Sequence, residues 1–128
     1  MSLMPDAEIT IPEVDIEKGL SLYCDEMDIY LIALHSYVEN VPVTIDKLRN
    51  VSEETLPSYC ISIHGIKGTS ANIGAETMRE RALNLEKMAK DGDLEGVLAE
   101  NEQFIIDMEK MVANIKKYLE YHDSAQET

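Results

Sequence analysis

The sequence predicts an all-α fold, an antiparallel four-helix bundle with a short additional N-terminal helix. Three observations lead there. Apolar residues recur at steps of three and four through most of the chain. No segment alternates convincingly with period two. Four longer periodic stretches are joined by short connections, which favours antiparallel neighbours. At 128 residues the chain suits one domain with a core of its own. We place that domain at 14–121, between a flexible lead-in at 1–13 and a polar tail at 122–128.

The lead-in holds Pro5 and Pro12 and no helical period. Asp15–Leu22 reads as a short helix, weakened by Gly19. From Asp25 a longer helix carries Met27, Tyr30, Leu31, Leu34, Val38 and Val41 on one stripe, and Ile45 and Leu48 continue it. Pro42 interrupts that stripe, so a kink or brief break is expected near Asn40–Val43. The third helix is expected to start at Ser52 as N-cap, with Glu53 and Glu54 at the positive end of its dipole and Pro57 in its first turns. Its seam is Leu56, Tyr59, Ile63, Ile66, Ser70 and Ile73, and Gly74 ends it. The fourth helix spans about Glu76 to Lys90, with Met78, Ala82, Leu85 and Ala89 inward. After a turn at Lys90–Asp93, Asp93 caps the fifth. Leu94, Val97, Leu98, Phe104, Ile105, Met108, Met111, Val112, Ile115 and Leu119 face inward there, and the helix is expected to end near Tyr121. One Phe, no Trp and seven Met indicate a core of aliphatic and thioether side chains.

The charge is large and uneven. Eleven basic and 25 acidic side chains give a net −14. That disfavours a duplex nucleic-acid binder and a protein held on an anionic membrane surface. Residues 59–90 are the exception, with five basic side chains (Lys67, Arg79, Arg81, Lys87, Lys90) against three acidic ones (Glu76, Glu80, Glu86), net +2. Two cysteines, Cys24 and Cys60, are too few for a disulfide framework and are expected as free thiols in a reducing cytosol. The N-terminus has neither the basic region nor the apolar core of a signal peptide, and the longest apolar run, Ile29–Leu34, is far too short to span a bilayer. The expectation is a cytoplasmic monomer without nucleic-acid or membrane partners.

The residues that carry chemistry cluster on the third helix, in His64-Gly65-Ile66-Lys67-Gly68. His64 follows the inward Ile63, so it lies about 100° round from the seam, at the edge of the core. Lys67 and Gly68 stand one turn later on its face, and Cys60 and Ile61 one turn earlier. Two glycines inside a helix cost roughly 1 kcal/mol each relative to alanine. A helix built for stability alone would not place both beside an exposed histidine. Gly68 bares the surface next to the imidazole, so another macromolecule can approach closely. A neutral imidazole nitrogen can accept a phosphoryl group, and the adjacent cation would offset charge on its oxygens. The ring also needs a partner on its other nitrogen. If the third and fourth helices fold back at Gly74–Ala75, His64 and Glu86 lie equally far from the turn. Glu86 could then accept a hydrogen bond from Nδ1–H and leave Nε2 to react. The bland alternative is that Glu86 is a surface residue paired with Lys90 at i+4. Ile61 and Ala71 flank His64 outside the seam and form either an apolar docking rim or part of the bundle packing. Cys60 and His64 have metal-ligand spacing, but no further HxxxH or ExxH pair completes a site.

At these residues the chain resembles the histidine-containing phosphotransfer (HPt) domain of bacterial phosphorelays. The resemblance rests on His64-x-Ile66-Lys67-Gly68, on Gly74 six residues further, and on Leu85-Glu86 before the Gly92-Asp93 turn. It extends more weakly to the Asp15–Leu20 segment and Tyr30. It implies His64 as the phosphorylated residue with Nε2 as acceptor. It also implies Lys67 as phosphoryl neighbour, Gly68 as the close-approach position and Glu86 as ring partner. Response-regulator receiver domains and a hybrid histidine kinase would be the partners, with Cys60, Ile61, Gly65 and Ala71 in the docking region. This chain would hold no cofactor of its own, since Mg²⁺ belongs to the receiver and supplies most of the catalysis. Gly65 departs from the pattern, where a bulkier or helix-favouring residue is expected. The chain would therefore be a phosphoryl carrier and not a self-sufficient enzyme. Two other readings stand beside it, a helical adaptor that binds a signalling partner without covalent chemistry and the phosphotransfer domain of a chemotaxis-type kinase.

Overall fold

The computed structural model describes residues 10–127, and its described residues form five helices and no strand. They are α1 (Ile16–Ser21), α2 (Met27–Asp46), α3 (Leu56–Ala71), α4 (Glu76–Lys90) and α5 (Leu94–Glu127). Helix α3 packs most closely on α4, α4 on α5, α5 on α2 and α2 on α3, which closes a ring of four around one core. The short α1 rests on α2 at one end. No helix among the described residues is long and apolar enough to cross a membrane.

The start of α1 corrects the expectation of a loose lead-in. Residues 1–9 of that lead-in lie outside the described residues, but Ile11 is 2% exposed and belongs to the core. Asp15 caps α1 by accepting from the Lys18 N–H at 3.0 Å. Gly19 is a contact and not a weakness. A Cβ there would lie 2.5 Å from Tyr30 Cε1 and 2.6 Å from the Ile73 carbonyl oxygen, so only glycine lets α1 close on the bundle.

Helix α2 runs unbroken through Pro42, so of the kink or brief break expected near Asn40–Val43 the break is absent. Pro42 removes one backbone donor, at a cost of about 3 kcal/mol in a helix interior. Val41 and Ile45 are buried on either side of it, and burial of each such side chain contributes roughly 1.5–3 kcal/mol. Continuing the apolar face therefore outweighs the lost bond. Tyr37 joins that face, and its hydroxyl meets Ser70 Oγ at 2.9 Å, which satisfies the one polar residue in the α3 seam.

Helix α3 begins at Leu56 and not after Ser52. With Ser52 as N-cap, Pro57 would fall at a position that must donate an N–H within the helix. Starting three residues later puts Pro57 in the first turn, where its missing donor is one of the orphans anyway. Ser52 instead closes a turn, donating its N–H to Thr55 Oγ1 at 2.8 Å, and Glu53 and Glu54 lie in that turn outside the helix. The expected seam is buried as read, from Leu56 to Ile73. Tyr23 and Tyr30 donate to the Asn72 and Ile73 carbonyls just past the end of α3.

Gly74 turns the chain at φ 85°, where a Cβ would collide with the Asp15 carbonyl, and Asp15 N–H donates to the Gly74 carbonyl at 2.9 Å. Helix α4 has the expected bounds. In α5 the seam is Val97, Asn101, Phe104, Met108, Met111, Ile115 and Tyr118, steps of four and three. Leu98 lies one residue off that seam and is 54% exposed, contrary to its inward assignment. Asn101 takes the inward place because both ends of its amide are hydrogen-bonded, the oxygen accepting from Tyr59 OH at 2.8 Å and the nitrogen donating to the Leu48 carbonyl at 2.8 Å. Helix α5 also continues past Tyr121 to Glu127, because nothing after Tyr121 is a glycine or proline that would stop it. The segment 122–127 of the expected tail is thus helical, and the His122 ring lies 4.5 Å from that of Tyr118.

Candidate functional site

The α3–α4 hairpin brings His64 and Glu86 together. Both helices leave the Gly74–Ala75 turn at about the same rise per residue, so positions equidistant from it face one another. His64 Nδ1 lies 2.6 Å from Glu86 Oε2. Lys67, one turn after His64 on α3, donates Nζ to Glu86 Oε1 at 2.6 Å. Lys90, one turn after Glu86 on α4, places Nζ 3.5 Å from Oε2, the oxygen that His64 also uses. Glu86 is therefore in contact with His64, Lys67 and Lys90 at once, and it is buried, not the surface residue of the alternative reading.

Exposure divides the cluster. The Glu86 side chain is 3% exposed, Lys67 25%, Lys90 64% and His64 65%. A buried carboxylate thus anchors an outward-facing imidazole. Burial alone would raise the Glu86 pKa, but hydrogen bonds from Lys67 and His64 and the charges of Lys67 and Lys90 outweigh it and hold the pKa at about 2. An ionised carboxylate only accepts hydrogen bonds, so Nδ1 carries the ring proton and a neutral imidazole keeps its lone pair on Nε2. No described residue bonds Nε2.

The surface beside the ring is bare. A Cβ built on Gly65 or on Gly68 meets no atom within 4 Å, so packing inside this chain requires neither glycine. Ile61, one turn before Gly65, is 74% exposed, while Cys60 and Ala71 are half-buried. Ile61 is therefore open to solvent, and Ala71 is partly taken into the bundle. A groove between the start of α3 and the end of α4 is lined by Pro57, Cys60, Ile61, Ala89 and Lys90. Cys24 and Cys60 are free thiols. Among the described residues no group of three or more His, Cys, Asp or Glu side chains could hold a metal ion.

The electropositive segment divides in the fold. Arg81 donates to Asp107 of α5 at 2.9 Å and lies over the Phe104 ring, and Arg79 is held by Glu76 at 3.1 Å. Both arginines are neutralised within the chain. Lys67 and Lys90 bring two positive charges to the single negative charge of Glu86 beside His64, and Lys87 is exposed to solvent. Local spacing in the sequence gives no sign that Glu86 holds Lys67.

A family model described as Hpt domain matches residues 20–118, which takes in α2 to α4 whole and most of α5. Neither a curated protein nor a solved structure matches the chain.

Proposed function

The chain belongs to the Hpt domain family, whose role is histidine phosphotransfer in phosphorelays, and on that premise we propose that His64 is its phosphoryl carrier. The observation that supports this reading is the contact of His64 Nδ1 with Glu86 Oε2, which leaves Nε2 unbonded at a glycine-bared surface.

The reaction follows from that arrangement. A receiver domain presents a phospho-aspartate, a mixed anhydride. The Nε2 lone pair attacks phosphorus, the bond from phosphorus to the aspartyl oxygen breaks, and the aspartate leaves as a carboxylate. The phosphorus–Nε2 bond forms while the proton stays on Nδ1. The ring gains positive character, which the ionised Glu86 stabilises. Transfer onward is the reverse, with the aspartate of a second receiver as nucleophile and the imidazole as leaving group. A receiver-bound Mg²⁺ would supply Lewis-acid polarisation of the transferring oxygens from the partner's side. This chain orients the nucleophile, offsets phosphoryl charge and admits the receiver. Cys60, Ile61, Gly65, Gly68 and Ala71 form the docking surface, and the protein works as a monomer in the cytoplasm.

Incubation with a cognate phospho-receiver tests this directly. The chain is expected to acquire acid-labile, base-stable phosphate, and the His64→Gln variant none. Equal labelling of that variant defeats the assignment, and receiver binding without any label indicates a non-covalent adaptor.

A further inference from the structure

Two lysines converge on one carboxylate at this site, but they are not equivalent. Lys67 is largely covered and bonds Oε1 at 2.6 Å. Lys90 is 64% exposed and only grazes Oε2 at 3.5 Å, where it shares that oxygen with His64. Glu86 lies between them with 3% exposure and a pKa near 2, so it keeps its charge throughout the working pH range. With neutral imidazole the cluster of Lys67, Lys90 and Glu86 carries net +1. Phosphoryl transfer with the proton kept on Nδ1 adds about −1 to the site, as a phosphoryl group of about −1.5 to −2 at neutral pH, by analogy with other phosphorylated side chains, on a ring that turns cationic. The negative charge is concentrated on the phosphoryl oxygens, which attract a nearby cation.

We propose that Lys90 is that cation, a positioning residue which leaves the edge of Glu86 and pairs with the phosphoryl oxygens once His64 is phosphorylated, while Lys67 stays on Glu86. The inference rests on the reading of His64 as phosphoryl carrier. Moving Lys67 would leave a buried carboxylate without its closest cation, the costly way to break such a pair. Moving Lys90 gives up only a long, solvent-exposed contact, the kind that contributes little. Lys90 Nζ now lies at the Nδ1 edge of the ring, so its long, exposed side chain has to swing round the imidazole to meet a group on Nε2. The other charged groups near this edge are Lys87, next round α4, and Glu53, which lines the same groove as Lys90.

The test is the titration of the phosphoryl group, followed by phosphorus NMR on the full chain labelled with phosphoramidate. A cation close to the phosphoryl oxygens favours their dianion, so removing it raises the phosphoryl pKa. Lys90→Ala is expected to raise it by about half a unit, the scale of one unit charge at contact in a solvent-exposed site. Lys90→Arg is expected to restore it, and Lys87→Ala to leave it unchanged. A Lys90→Ala titration that coincides with that of the unaltered chain overturns the role of Lys90 and leaves the carrier reading intact. Failure of the unaltered chain to take phosphate on His64 overturns both.

Discussion

Lys67 Nζ sits 2.6 Å from Glu86 Oε1, so the lysine beside the reactive histidine is held by a buried carboxylate from the facing helix. This ion pair fixes the relative position of α3 and α4 at the point where the imidazole is also bonded. Structure and chemistry therefore depend on the same side chain, which makes Glu86 the first residue to alter.

Glu86→Gln removes the charge and keeps the shape. Lys67 is left partly covered without its counter-ion, and the ring nitrogen loses an ionised acceptor. We expect a stability loss on the order of 2 kcal/mol, since the pair lies at a half-buried edge. We also expect labelling by a phospho-receiver to slow by about tenfold, which corresponds to roughly 1.4 kcal/mol in the barrier. Urea melts and a labelling time course measure the two effects. Unchanged labelling with reduced stability would assign Glu86 a structural role only.

The same substitution makes a pH prediction with a definite sign. The folded pKa of Glu86, about 2, lies below its ordinary value of 4.5, so the folded state takes up this proton later than the unfolded state does. The stabilisation is complete above about pH 4.5 and is lost as pH falls toward 2. Asp107 is also held low, by hydrogen bonds from Arg81 and Gln103. The raw acid curve therefore mixes several groups, and the difference between the unaltered chain and E86Q isolates Glu86. That difference should be widest at pH 7 and close as pH falls toward 2. A gap that stays constant over this range would refute the depressed pKa.

Gly65→Ala and Gly68→Ala should separate folding from function. Neither new methyl meets an atom of this chain within 4 Å, so each substitution is expected to stabilise α3 by about 1 kcal/mol through helix propensity. The same methyl would stand between His64 and an approaching receiver. A higher melting temperature with slower phosphotransfer is the expected pairing. Variants that are more stable and transfer at the normal rate would show that the surface is not a close-approach site.

Gly19→Ala has the opposite expectation for folding. Its Cβ would press on the Tyr30 ring and the Ile73 carbonyl, both in the interior. Overpacking of this kind costs about 1–3 kcal/mol. Thermal melts should show the loss, and a variant as stable as the unaltered chain would mean that α1 shifts freely on the bundle.

Sequence and structure agree and part for physical reasons. Helix α4 was legible to the residue because Gly74 and Gly92 bracket it, and both adopt positive φ. The start of α3 was misread because Ser52 has the residue type of a cap, while the placement of Pro57 decided the matter. At Pro42 tertiary burial overrode a local breaker, and at Asn101 a hydrogen-bonded amide took a seam position that an apolarity pattern assigns to its neighbour Leu98. In the site, the meeting of His64 and Glu86 followed from hairpin symmetry alone. The capture of Arg81 by Asp107 did not, because it joins helices whose relative rotation no local pattern encodes.

The turn at Gly74 has a consequence for which changes this fold can absorb. His64 and Glu86 are held in phase by a turn about 15 Å away, at 1.5 Å of rise per residue. Asp15 clasps that turn through its N–H, and its carbonyl leaves no space for a side chain there. One residue inserted at 73–75 would swing every later position of α4 by about 100° and carry Glu86 off the imidazole, with all the helices still formed. An insertion in the 49–55 connection, which lies outside the α3–α4 hairpin, leaves that phase intact. Length variation is thus tolerated at one end of the bundle and silences the site from the other.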